Sequence, residues 1–473
     1  MVAVTTSDSV SKPTRIAVRR SYIWRSETEK VARFLKAKPR RRSELGLMIV
    51  GCVVAIAAIL LTSLATTNKL PSNLLIPIAV IVCACIVMQL INRYFVPFAD
   101  PVIIPVTLVL NAIGWVMIKR LEPPAATNQL IWTAVSFLVY LLTLFIVRRS
   151  RDLERYRYIL GFLAFFLLLT PLIPHFGYSV NGARLWVRLG SKLQFQPVEI
   201  AKILLVVFFA SFFAEKKEML AIPTKRVGNF LLPDFRVLGP VALAAGVALL
   251  IILMEKDIGF SLIIFLVFLI LLWAASGRWG YVIIGLALFG IVTFIAAHAL
   301  GQVGGRFAVW LDPWKYYNTP GYYAGYQPVQ GELAFGRGGL FGSGLGLGLV
   351  HYIPNQGTTP LPVATSDFIF AVFGEELGLV GVAALMVGYI LIIGAGIKAA
   401  MRTKSDFVKL LCLGLVLTFG LQTFFIMAGV TRLLPLTGVT LPLMSYGGSS
   451  LVANYALIAL LMRISHETNM VTT

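Results

Sequence analysis

Thr365-Ser366-Asp367-Phe368-Ile369-Phe370 runs through Ala371-Val372-Phe373 into Gly374-Glu375-Glu376-Leu377-Gly378, and an apolar stretch then continues to residue 397. The run 368–397 exceeds the ~20 apolar residues that an α-helix needs to cross about 30 Å of hydrocarbon. Its beginning nevertheless carries three carboxylates, Asp367, Glu375 and Glu376. Charge at membrane depth is costly, so acids placed there point to function. For Asp367 alone the competing reading is a helix cap, favoured by the positive end of the helix dipole.

Comparable apolar runs occur at 45–67, 74–92, 101–118, 129–147, 157–174, 195–214, 237–254, 258–275, 279–300, 407–430 and 438–462. With 58% hydrophobic residues, the chain reads as an all-α polytopic integral membrane protein of about twelve transmembrane helices. An even number of spans puts both termini on one side. Basic residues at 148–155, 216–217 and 398–404 fall on that same side, which the positive-inside rule makes cytoplasmic. Lys119-Arg120 falls on the opposite side, against the rule.

Residues 1–44 carry 12 Lys and Arg and read as a basic cytoplasmic tail with no cleavable signal peptide. Residues 45–466 form the transmembrane domain, with a large extracytoplasmic loop at 301–367, and 467–473 a short cytoplasmic C-terminus. The net charge of +20 is accounted for by this topology and by attraction to anionic lipid, so the bilayer and not nucleic acid is the expected partner of the basic residues. Cys52, Cys83, Cys85 and Cys412 all lie in apolar runs. The four histidines are scattered, which leaves neither a disulfide framework nor a metal site legible.

The polar motifs gather on the expected outer side. Arg184-Leu185-Trp186-Val187-Arg188 precedes Phe195-Gln196-Pro197-Val198-Glu199-Ile200-Ala201-Lys202, where Glu199 and Lys202 share a helix face and can pair. Glu255-Lys256-Asp257-Ile258-Gly259 places another acid at the end of a span. The 301–367 loop holds Arg306, Asp312, Gln330 and Arg337, with glycines between 336 and 344 that suit close approach of the backbone to a lipid or sugar. Arg432 sits in a short outer turn before the broken-helix pattern Leu441-Pro442-Leu443-Met444-Ser445-Tyr446-Gly447-Gly448-Ser449-Ser450.

In order along residues 157–466, these strings resemble the SEDS family (shape, elongation, division and sporulation), membrane glycosyltransferases of the RodA and FtsW type. The sequence departs from the usual pattern at Val198, Lys256 and Thr365-Ser366, without losing a carboxylate. Lys256, Arg432 and the short C-terminus resemble the RodA branch in its actinobacterial style. The resemblance implies a core of about ten helices, so two of the first five spans are additional. It implies polymerisation of lipid II, an undecaprenyl-diphosphate-linked disaccharide pentapeptide, at the outer face of the bacterial plasma membrane, and a class B penicillin-binding protein as partner.

On that reading Asp367 is the base that takes the proton of the attacking sugar hydroxyl. Arg184, Arg306, Arg337 and Lys202 are candidates to neutralise the leaving diphosphate. Trp186, Glu199, Asp257, Gln330, Glu376 and Arg432 are supporting residues. A divalent cation such as Mg2+ would also neutralise the diphosphate, but no ligand cluster is legible. A lipid II flippase or transporter, and the division-specific FtsW-like member of the family, are the alternative functions.

Overall fold

In the computed structural model of the protein, the described residues are 41–69, 75–173, 176–180, 183–189, 193–221, 225–227, 230–232, 258–299, 301–319, 324–349 and 363–472, with Leu361 and a few single positions between 239 and 250. The expected basic tail and the expected span 237–254 lie largely or wholly outside them, as does Asp257.

The fold is helical, with two small antiparallel sheets among the described residues. In chain order the long helices are α1 (Arg41–Thr67), α2 (Leu75–Phe95), α3 (Ile103–Leu121), α4 (Pro123–Ile146), α5 (Arg157–Leu169) and α6 (Val198–Glu215). There follow α7 (Ile258–Ser276), α8 (Trp279–Ala299), α9 (Gly301–Leu311), α10 (Tyr326–Gly338), α11 (Ile369–Arg402), α12 (Asp406–Val430) and α13 (Gly448–Thr472). Among the described residues, 10 helical segments are long and apolar enough to cross a membrane. α6 is not among those ten, because Glu199, Lys202 and Glu215 all fall within its 18 residues. This is a multi-pass membrane protein.

Burial grades the bundle from centre to edge. In α13, 89% of the membrane window is buried inside the protein, against 17% in α2 and none in α8, so α13 is the core and α2 and α8 face lipid. The central helices pack through small residues, as membrane helices do. Gly396 on α11 receives Val416 of α12, and Gly414 on α12 receives Val206 of α6. Local sequence sets several ends. Pro123 opens α4 at a position where its missing N–H costs nothing, and the Ser405 hydroxyl caps α12 by accepting from Val408 N at 3.5 Å.

Two expectations need correction, and two of the expected loops carry structure of their own. The run 368–397 is not one continuous helix: Gly378 has φ 65° and ψ −168°, a conformation open to glycine, and it divides α11 into a half-helix ending at Leu377 and a long helix from Leu379. The last helix begins at Gly448 and not near 438, because Leu443 adopts φ 69° and Pro442 interrupts the pattern. It also continues to Thr472, through most of the expected C-terminal tail. Finally, the 301–367 loop contains two helices, α9 and α10, and the expected loop 175–194 contains the three-stranded sheet Gly177–Val180, Ala183–Leu189 and Leu193–Phe195.

Candidate active site

Asp367 stands two residues before the half-helix, in a turn held from the far end of the chain. Tyr446 N donates to Thr365 O at 2.8 Å, and the Ser445 hydroxyl donates to Ser366 O at 2.6 Å. That hydroxyl in turn accepts from Leu441 N at 2.9 Å, and Gln129 on α4 donates to Ser445 O at 3.4 Å. The Ser445-Tyr446 pair thus holds the two carbonyls just before Asp367. Phe368, fully buried, anchors the other side against Gly331 of α10.

Asp367 as a residue is half-buried, and no described donor hydrogen-bonds its carboxylate. Burial pushes the carboxyl up to about 6, and the nearby Arg306 guanidinium works in the opposite direction. Arg306 lies on α9 and donates to Thr437 O at 3.3 Å. A side chain on Gly259 would strike Val439 and the Thr437 carbonyl, so the start of α7 also closes on this turn. Asp367, Arg306, the 437–439 turn and the head of α7 therefore meet at one end of the bundle.

Beneath the turn lies a second charged group. Lys202 and Glu199 are in contact, both essentially excluded from solvent, and Lys202 also reaches the Gln422 carbonyl oxygen. Gln422 donates onward to Thr440 O at 3.0 Å, and the Lys202 ammonium sits 5.2 Å from the Phe260 ring centre. The arrangement ties α6, α7 and α12 to the 437–441 turn. Both charges are paired in a place where a lone one would be costly.

Glu375 and Glu376, at the other end of the half-helix, are buried and each is paired with an arginine. Glu375 accepts from Arg337 Nε at 2.8 Å and from Leu349 N at 3.0 Å. Glu376 pairs with Arg120 and accepts from Gly346 N at 2.8 Å, while Arg120 also donates to Gly348 O at 2.9 Å. Two of the glycines expected to admit a lipid or sugar, Gly338 and Gly342, admit the protein's own backbone instead, while Gly336 and Gly339 face open space. A Cβ on Gly338 would collide with Gly374 O, and one on Gly342, whose φ is 80°, with Glu376 O. Arg337 is thus drawn to Glu375, away from Asp367.

Arg432, with φ 58°, brackets the loop helices. It donates to Trp310 O at 2.8 Å, Leu311 O at 2.9 Å and Glu332 Oε1 at 3.0 Å, and Trp310 Nε1 returns a bond to Arg432 O at 3.1 Å. Gln330 donates to the Tyr317 hydroxyl at 3.1 Å. Trp186 is half-buried in the sheet opposite Tyr178, and Arg184 pairs through its backbone with Ser179, its side chain lying outside the described residues. Among the described residues no three His, Cys, Asp or Glu side chains gather as a metal site.

Two participants escaped sequence reasoning. Arg120 is the partner of Glu376, and its signal was the basic pair that broke the positive-inside pattern. Glu122 accepts from the Thr365 hydroxyl at 3.4 Å, placing a further acid beside the Asp367 turn. Nothing in its sequence surroundings marks it.

The model for the FtsW, RodA and SpoVE cell cycle proteins matches residues 94–470. "Peptidoglycan glycosyltransferase RodA" of Mycobacterium tuberculosis is 38% identical over 90% of this chain and 91% of its own length. The Mycobacterium leprae protein of the same name is 39% identical over 79% of each chain. A "probable peptidoglycan glycosyltransferase FtsW" from Geobacter is 35% identical over 64% of this chain and 76% of its own. Among solved structures, a peptidoglycan synthase complex that coordinates polymerisation and crosslinking contains a chain that superposes with TM-score 0.62 at 24% identity, covering 78% of this chain and 98% of that one. Thermus thermophilus RodA superposes with TM-score 0.54 at 23% identity, covering 78% of this chain and 97% of that one, and both likenesses speak to the fold. With the family model covering most of its length and relatives this similar along it, the chain belongs to the FtsW/RodA/SpoVE family of cell cycle proteins.

Proposed function

We infer that this chain is a membrane glycosyltransferase that polymerises lipid II into peptidoglycan glycan strands, in the manner of the RodA branch. The mycobacterial proteins named as RodA are similar over more of the chain than the FtsW proteins are, which favours elongation and shape over division. The observation that carries the chemistry is the Asp367 carboxylate, reachable, without a described hydrogen-bond donor, and raised to about 6. A base with a pKa near the working pH combines availability with basicity. A sugar hydroxyl approaching Asp367 gives up its proton there as its oxygen bonds to the anomeric carbon of the lipid-linked strand. The bond to the diphosphate breaks with inversion, and Arg306 neutralises the departing charge. Lys202 acts through Glu199 and Gln422 on the 437–441 turn, and Arg337, Glu376 and Arg432 position the surrounding loop.

The positive-inside pattern of the basic loops supports an Asp367 on the extracytoplasmic side of the bacterial plasma membrane and both termini in the cytoplasm. The resemblance to a chain of a synthase complex supports a class B penicillin-binding protein as partner, docked on lipid-facing helices and the 301–367 loop. The deciding experiment is polymerisation of lipid II by the purified protein and by Asp367→Asn. The parent is expected to make glycan and the variant none. A parent that moves lipid II across vesicles without polymerising it is a transporter, and this function falls.

A further inference from the structure

The half-helix lies across the end of the bundle and not along a span. Its approach, at Thr365, contacts Glu122 at the junction of α3 and α4, and its far end, at Glu376, contacts Arg120 two residues earlier at the end of α3. Both ends are therefore at the same depth. Directly beneath it is a cavity of about 270 Å3, walled almost wholly by apolar atoms. Phe373 and Leu377 of the half-helix form its roof, with Leu345 of the loop beside them. Val116 of α3 and Ala58 and Leu61 of α1 form its walls.

α1 falls entirely outside the segment 94–470 that matches the family model, so this wall is an addition to the family core. It also braces the roof, since a Cβ on Gly346 would lie 2.9 Å from Ala65 and 3.1 Å from Thr62 O. The mouth faces lipid: Leu61 is 54% exposed and Val54, also in the lining, 42%. Along α1 the lining runs from Val54 to Leu61, about 10 Å at 1.5 Å per residue, so the cavity extends along the helix axis as a hydrocarbon chain would. Apolar cavities of this kind do not hold water. What enters from the mouth is hydrocarbon, and the roof above it is the helix that leads back to Asp367.

We propose that this cavity takes the isoprenoid chain of the lipid-linked sugar substrate, with α1 as its outer wall. The inference rests on the glycosyltransferase reading above. A chain seated under the half-helix carries its diphosphate and sugar to the same end of the bundle as Asp367 and Arg306, without using either residue to recognise the chain.

The test compares full-length undecaprenyl substrate with a short farnesyl analogue, using the purified full chain. Ala58→Phe fills the cavity, and Ala58→Leu does so more mildly should the first variant fold poorly. The preference for the long chain, taken as the ratio of kcat/KM values, is expected to fall about tenfold in Ala58→Phe and less in Ala58→Leu, through KM. Withdrawing one or two methylenes from burial gives an effect of that order. An unchanged ratio overturns the proposal and leaves the cavity to bulk lipid or vacuum. Equal loss on both substrates also overturns it, since that is damage to the roof and not chain recognition. A parent protein inactive on both lengths removes the glycosyltransferase reading itself, and the proposal with it.

Discussion

The two ends of the half-helix between Ile369 and Leu377 carry acids in opposite conditions. At one end Glu375 and Glu376 are buried at 1% exposure, each paired with an arginine and each accepting a backbone N–H. At the other, Asp367 has no described hydrogen-bond donor, and Arg306 is the cation acting on it. Buried carboxylates paired with arginines hold structure together, because the partner charge offsets the cost of burying them. A carboxylate left with free lone pairs, held only through its neighbours' backbone, can accept a proton. On the proposed function, the chain separates the two uses of an acid by one short helix.

The comparison breaks most sharply at Asp367. Asp367→Asn removes the proton acceptor and should lower polymerisation by at least about 100-fold, within the usual range for a general base. Its stability should not fall. Because the folded-state pKa is raised from 3.8 to about 6, ionising Asp367 costs stability as pH rises through that window, and asparagine escapes the cost. A melting temperature that drops at neutral pH along with activity would assign Asp367 to structure.

At the opposite end the signs reverse. Arg120→Ala leaves Glu376 as an uncompensated buried charge, a loss on the order of 3–5 kcal/mol. Protein level and thermal stability in detergent should drop, with activity following the amount of folded protein. Glu199→Ala should behave alike for the same reason, and an undiminished yield of either variant would refute the structural assignment.

A smaller effect sharpens the electrostatics of the Asp367 end. Activity should rise with pH through about 6 and level off, as the base form fills. Arg306→Gln removes the cation that favours the carboxylate, so the rising limb should move to higher pH, together with a loss of about 10-fold or more in kcat/KM. A limb that stays in place would mean that Arg306 serves the substrate alone. The smallest change is expected for Glu332→Gln. Glu332 and Arg432 are each about one-third exposed, at 30% and 33% of the side chain, so their pair should contribute below about 1 kcal/mol, measurable as a slight shift in melting.

The membrane fold was legible because spans are written in runs of apolar residues, and Asp367 stood out as a candidate because charge at the mouth of a span is costly. What stayed hidden depends on pairing across long sequence distance. Arg120 and Glu376 meet only when α3 and the half-helix are side by side, and no local pattern announces it. Gly378 opens the long apolar stretch that follows Glu375 and Glu376, where a glycine ordinarily reads as helix packing, and its left-handed φ is visible only in three dimensions. The 441–450 string was recognisable as a broken helix, yet its use in fixing Thr365 and Ser366 could not be read from spacing.

That last contact bears on how the protein is made. The turn carrying Asp367 is fastened by Ser445 and Tyr446, some eighty positions later in translation, and the 441–446 segment is itself fixed by α4 from far earlier. During synthesis the helices enter the bilayer one after another, but the residues around Asp367 acquire their geometry only when the final hairpin arrives. A nascent chain stalled after Val430 would be inserted without that geometry, and on the proposed role of Asp367 a half-finished polypeptide in the membrane would not begin consuming precursor.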